Sequence, residues 1–189
     1  MPRPPILPVV DWKSVFESGK TYQAWLDSAE KPEQRDRMEE IRASLKLEPH
    51  VEAYLKALPR IVHAIAIAED WCGDVVRHAP VLQRLAQAAP NLKVCFITRE
   101  QHPNVFVRHL TNGGEAIPKF IFLSDKFVEC GNWGPMPELH RELIARGKAL
   151  GDVGKAREKV SALYKADPNC RVVIAELLRL IDIASTTEI

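Results

Sequence analysis

The sequence predicts an α/β fold, a mixed sheet flanked by helices, with helical extensions at both ends. Three observations carry this expectation. Two apolar runs, IVHAIAIA (61–68) and NLKVCFIT (91–98), bracket a stretch with helical spacing, VVRHAPVLQRLAQAA. A second pair of strand-like runs, IPKFIFLS and KFVECG, follows with only a short turn between them. Outside 61–135 the period changes to that of amphipathic helices.

DWKSVFESG and TYQAWLDSA are short and amphipathic, and from Pro32 a longer helix places Met38, Ile41 and Leu45 on one face. Pro49 suits the first turn of a helix bearing Val51, Tyr54, Leu55 and Leu58, and Pro59 closes it. IVHAIAIA is apolar on both faces, as a covered central strand requires. The next helix turns Val76, Leu82 and Leu85 inward, and NLKVCFIT forms a second strand. PNVFVRHLTNGG reads as a short helix ended by its two glycines. IPKFIFLS and KFVECG form a hairpin through Ser124-Asp125-Lys126. PELHRELIARGKAL, VGKAREKVSALYKA and NCRVVIAELLRLIDIA are helices, the last two separated by Asp167-Pro168-Asn169. The expected organisation is a helical extension over 1–60, a core over 61–135 and helices packed on it over 136–189.

Composition narrows the function classes. The 189 residues are 46% apolar with a net charge of +1 spread along the chain, and no basic cluster marks a nucleic-acid partner. No apolar run is long enough to cross a bilayer. The start MPRPPILPVV lacks the apolar region of a signal peptide, so a cytoplasmic location is expected. Cys72, Cys95, Cys130 and Cys170 match no zinc or iron–sulfur spacing, the six histidines form no ligand pattern, and neither a metal nor a cofactor is assigned. Cys95, inside VCFI, reads as a buried inert thiol, and Cys170 as structural.

The chemistry concentrates in AEDWCGDVVRHAP. Trp71-Cys72-Gly73 follows the first strand and opens a helix, Pro80 lies eight residues beyond Cys72, and Ile117-Pro118 opens the third strand. In these residues the chain resembles the thioredoxins over 61–135, and EDWCGD with GNWGP resembles a bacterial subgroup of thioredoxin-like proteins. The resemblance implies a thioredoxin-like fold with Cys72 as nucleophile. It also implies a cis bond between Ile117 and Pro118, and a substrate groove bordered by Trp71, Gly73, Ile117, Pro118 and Trp133. The physics agrees: unpaired N–H groups and the positive end of a helix favour thiolate, the attacking form in disulfide exchange.

Three departures qualify the resemblance. Val75 stands where the resolving cysteine belongs, and Ala66 where thioredoxins carry a buried carboxylate. Glu69, Asp70 and Asp74 set negative charge near the thiol, which disfavours thiolate, with Arg77 a candidate for partial neutralisation. Asp70 and Asp74 equally suit plain turn and first-turn positions. The Cα atom of Cys130 is expected at the same end of the sheet as Cys72, two strand spacings away, about 9–10 Å. That makes Cys130 only a candidate distant resolver, since a disulfide needs about 7 Å or less. His78 falls on another helix face from Cys72, which disfavours a Cys/His protease. Glu69 stands where a peroxiredoxin has Thr or Ser, and Cys72-Gly73-Asp74-Val75 departs from the Cys-Gly-Phe-Ser loop of cluster-binding glutaredoxins.

The expected function is that of a monothiol thioredoxin-like protein, a thiol–disulfide oxidoreductase lacking its resolving cysteine. Cys72 would exchange with protein or small-molecule thiols and disulfides, and an external thiol would resolve the product. The alternative is a redox-inactive interaction module that uses the same groove to hold a partner peptide.

Overall fold

In the computed structural model, residues 7–29 and 31–186 are described. The opening residues read above for a targeting signal, 1–6, and the last three of the carboxy-terminal region, 187–189, lie outside the described residues.

Local chemistry starts the first helices. Asp11 accepts from the Ser14 amide to cap α1 (Trp12–Glu17), and Thr21 accepts from the Ala24 amide to cap α2 (Tyr22–Asp27). Proline begins both α3 (Pro32–Ser44) and α4 (Pro49–Lys56), where its missing N–H and fixed φ are tolerated. The chain then alternates: β1 (Val62–Ile67), α5 (Gly73–Ala88), β2 (Leu92–Ile97) and α6 (Pro103–Phe106), which tightens into a 3₁₀ turn over Val107–His109. The glycines after it do not end the helix. Gly113 and Gly114 lie in a tight loop closed by paired Thr111 and Gly114 backbones. β3 (Lys119–Leu123), β4 (Glu129–Trp133), α7 (Glu138–Ala149), α8 (Val153–Ala166) and α9 (Arg171–Ser185) complete the order.

The four strands form one mixed sheet in the order β2-β1-β3-β4. β1 runs parallel to β2 and antiparallel to β3, and β4 is antiparallel to β3. This is the thioredoxin-like arrangement that the sequence predicts. β1 and β3 are buried almost throughout, as strands covered on both faces must be. Among the described residues no helix is long and apolar enough to cross a membrane.

The amino-terminal segment is tied to the sheet edge. Lys20 and Phe96 exchange backbone hydrogen bonds of 2.9 and 2.8 Å, and Trp25 stacks on Phe96 with ring centroids 4.8 Å apart. Gly19 allows this approach, because a Cβ there would meet the Cys95 sulfur at 2.7 Å. Cys95 is buried, and burial pushes its thiol up to about 12, in keeping with the inert role read from VCFI.

One strand starts later than its sequence suggests. KFVECG was expected as the hairpin's second strand, yet Lys126–Val128 belong to the turn and β4 begins at Glu129. Ser124 organises the longer turn: its hydroxyl accepts from the amides of Lys126 and Val128, and its carbonyl from that of Phe127. Phe127 takes a left-handed φ of 59° there.

Candidate functional site

Cys72 sits where the end of β1 turns into α5. It is the N-cap of that sixteen-residue helix, with extended backbone at φ −86° and ψ 123°. The capping position aims the sulfur at the helix's first free amides. Those of Val75 and Asp74 make no capping hydrogen bond to the thiol but favour its charged form. Across from it, the sulfur lies 3.5 Å from the Ile117 carbonyl oxygen. The Ile117–Pro118 peptide is cis. Ile117 and Pro118 are buried, while Trp71 and Gly73 are exposed, so the sulfur lies half-buried between a closed wall and an open one.

The electrostatic balance differs from the sequence expectation in one respect. Glu69 is not a free charge: Arg99 grips it bidentately, Nε to Oε1 and Nη2 to Oε2, each at 2.9 Å. Burial raises the Glu69 carboxyl, but these bonds outweigh it and hold it below its ordinary value. Arg99 also lies 5.3 Å from the centre of the Trp71 ring and pairs with Glu115 at 3.0 Å. Asp70 accepts a 3.3 Å bond from the Lys31 amide, a structural use consistent with a turn residue. Asp74 is half-buried, and burial raises its carboxyl while Arg77 opposes the rise. For Cys72, burial comes first and pushes the thiol up, the helix amides pull it down, and Asp74 and Glu69 push it further up. The net direction is upward.

Cys72 has no disulfide partner. Val75, the position of the absent resolving thiol, is fully buried on α5, and Ala66 is fully buried in β1. Cys130 does not share an end of the sheet with Cys72, contrary to the expectation above. The register sets Glu129 beside Leu123 and Leu123 beside His63, at the beginning of β1, whereas Cys72 follows its end. His63 to Ile67 spans about 13 Å, and two strand spacings add about 10 Å sideways. This far exceeds the roughly 7 Å that a disulfide tolerates. The late start of β4 is the cause, and all four cysteines are free thiols.

Trp133 likewise does not border the groove. It is only 4% exposed, stacked on Phe120 with its indole N–H donated to Glu176. Its face meets His78, which is itself fully buried and bonded to the Tyr164 hydroxyl at 3.0 Å. His78 therefore belongs to a packed cluster behind the site. Among the described residues, no group of three or more histidine, cysteine, aspartate or glutamate side chains is placed to hold a metal ion.

Three contributors went unread in the sequence. Arg99 is one. Lys119, following Pro118, is buried, with its ammonium donating to Thr111 Oγ1 at 2.6 Å and the Gly134 carbonyl at 2.9 Å. Burial, aided by Arg141, brings its pKa down to about 8. A charge interrupting PKFIFL was the available signal. The third is the α7–α8 hairpin, whose Gly147 packs so closely that a Cβ would lie 2.5 Å from that of Ala156. It walls a cavity of about 820 Å³ that reaches Asp74, Ala116 and Pro135 beside the thiol.

The comparisons with known proteins agree with this fold. The family model described as thioredoxin matches residues 19–150. Two solved structures share the fold. One is a 1.5 Å crystal structure of a protein of unknown function from Pseudomonas aeruginosa, 18% identical, with a TM-score of 0.72. The other is a crystal structure of an HIV epitope-scaffold, 16% identical, with a TM-score of 0.70. Each alignment covers 92% of this chain and 98% of the other. No curated protein matches the chain.

Proposed function

The chain belongs to the thioredoxin family, and from that premise we propose that it carries out monothiol disulfide exchange through Cys72, with an external thiol releasing the product. The observation that carries the proposal is the position of the sulfur: at the amide-rich start of α5, facing the Ile117 carbonyl at 3.5 Å, with one side open to solvent. The Cys72 thiolate attacks one sulfur of a disulfide along the S–S axis, and the other sulfur departs as thiolate. One S–S bond forms as one breaks. A second, external thiolate then attacks the mixed disulfide and frees Cys72. Trp71, Gly73, Ile117 and Pro118 border the approach in this proposal, and Asp74 tempers the thiol's acidity.

The test is glutathione-coupled reduction of a small mixed disulfide. The wild-type protein accelerates it and Cys72→Ser does not; equal rates for the two proteins sink the proposal. A second reading, a redox-inactive binding module, draws on the upward push of burial on the thiol and on apolar Ala66 and Val75 beneath it. In that case both proteins leave the coupled rate at background.

A further inference from the structure

The cavity beside Cys72 carries more information than the thiol itself. One wall belongs to the exchange site: Asp74 on α5, Ala116 just before the Ile117 carbonyl that faces the sulfur, and Pro135 after β4. The opposite wall is the α7–α8 hairpin, which presents Arg141, Lys148 and Arg157. Lys148 and Arg157 are exposed, and the Arg141 Nε is buried without a hydrogen-bond partner. Among the described residues none of these three cations makes an ion pair. The two acids on the lining do not cancel them. Glu115 is already engaged by Arg99, and Asp74 is faced by Arg77 on its own helix. The buried Lys119 ammonium and Arg141 also act on each other as like charges, adding to a positive field at this side of the site.

We infer that this cavity receives a carboxylate-bearing segment of a partner polypeptide, so that Cys72 exchanges preferentially with cysteines flanked by acidic residues. The inference rests on the exchange reading and supplies its substrate class. Reach favours a flanking segment. An extended chain advances about 3.3 Å per residue, so side chains one to three positions from the reacting cysteine lie about 3–10 Å from it, the range in which the neighbouring Asp74 and Ala116 wall would be met. Charge complementarity supplies the selectivity: carboxylates answer Lys148, Arg157 and the orphan Nε of Arg141, whereas a basic segment meets repulsion from the same groups.

The test uses three cysteine peptides activated as mixed disulfides with thionitrobenzoate, their flanks glutamate, lysine or serine. Attack by the Cys72 thiolate forms the protein–peptide disulfide and releases the yellow thionitrobenzoate anion, so the rate is read directly. At low salt the glutamate peptide should react about tenfold or more faster than the lysine peptide, as a few partly exposed ion pairs imply. The ratio should approach one at about 1 M salt, where the Debye length is about 3 Å. In the Lys148→Glu/Arg157→Glu double variant the preference should vanish or reverse. A wild-type ratio within about twofold, or a ratio unmoved by the double variant, overturns the inference while leaving the exchange reading intact. Should Cys72 react with none of the peptides, the exchange reading fails instead. The inference then stands or falls on fluorescence anisotropy with a labelled acidic peptide whose cysteine is replaced by serine. Binding that the double variant abolishes upholds the cavity's role, and no binding overturns it.

Discussion

Gly134→Ala is the sharpest probe of how the site is held. Gly134 adopts φ +118°, and a Cβ there would stand 2.0 Å from the Pro118 carbonyl oxygen and 3.4 Å from the Lys119 Cα. Cβ atoms tolerate contacts no closer than about 3 Å, so the two backbone segments would have to part by about 1 Å or more. They resist, because the Gly134 carbonyl is clamped by the buried Lys119 ammonium at 2.9 Å. Backbone strain from the positive φ costs about 1–3 kcal/mol. Overpacking costs a further 1–3 kcal/mol, and contact with backbone rather than a flexible side chain puts it at the upper end, for a total of about 3–5 kcal/mol. For a chain of this length that is a fall in Tm of roughly 6–20 °C. Gly73→Ala is the control: it opens α5 with nothing within 4 Å of the added Cβ and no positive φ. It should leave stability unchanged or raise it by up to about 1 kcal/mol. Thermal and urea unfolding followed by circular dichroism read both variants. A Gly134→Ala loss below about 1 kcal/mol, or a Gly73→Ala loss as large as that of Gly134→Ala, would refute the reasoning.

Iodoacetamide alkylation of Cys72 should show its midpoint above that of a free cysteine measured alongside, because burial outweighs the helix amides, and Asp74→Asn should lower it; a wild-type midpoint below the free thiol's would reverse the balance argued for the site. Wild-type protein should fail to reduce insulin with dithiothreitol, and Val75→Cys should gain that activity, since residues three apart at a helix start lie on neighbouring turns. The swap should cost about 0.5–1.5 kcal/mol for the smaller buried side chain. A Val75→Cys protein that forms the 72–75 disulfide yet stays inactive would count against the missing thiol as the sole lesion. Acid should destabilise the fold through His78. Burial lowers its folded pKa to about 3, against about 6.5 when unfolded. Its contribution is therefore intact above about pH 6.5 and is lost progressively as pH falls toward 3. Urea midpoints across that range should decline less steeply in His78→Gln than in wild type, and parallel slopes would show that other groups govern the acid limb.

Element order and the place of the thiol are legible in the chain's own pattern. The switch from period 3.6 to apolar runs and back marks β1, α5, β2 and β3, because burial of a helix or strand face is written in neighbouring residues. It also placed Cys72 at the start of α5 and showed Val75 in the resolving position. What it misplaced or missed depends on partners far along the chain. Lys126–Val128 read as strand until the Ser124 hydroxyl and carbonyl take their amides, and that small shift moves Cys130 to the far end of the sheet. Trp133 looks like a groove residue in GNWGP, but Phe120 and Glu176, brought by β3 and α9, bury it. Glu69 reads as a bare acid beside the thiol until Arg99, thirty residues on, neutralises it. The cations of α7 and α8 are surface charges on any helical reading, and only the packing of the α7–α8 hairpin sets them on one cavity with Asp74. Periodicity reports which face of an element is buried. Register, charge pairing and the wall of a cavity are set by contacts between elements, which a one-dimensional pattern does not encode.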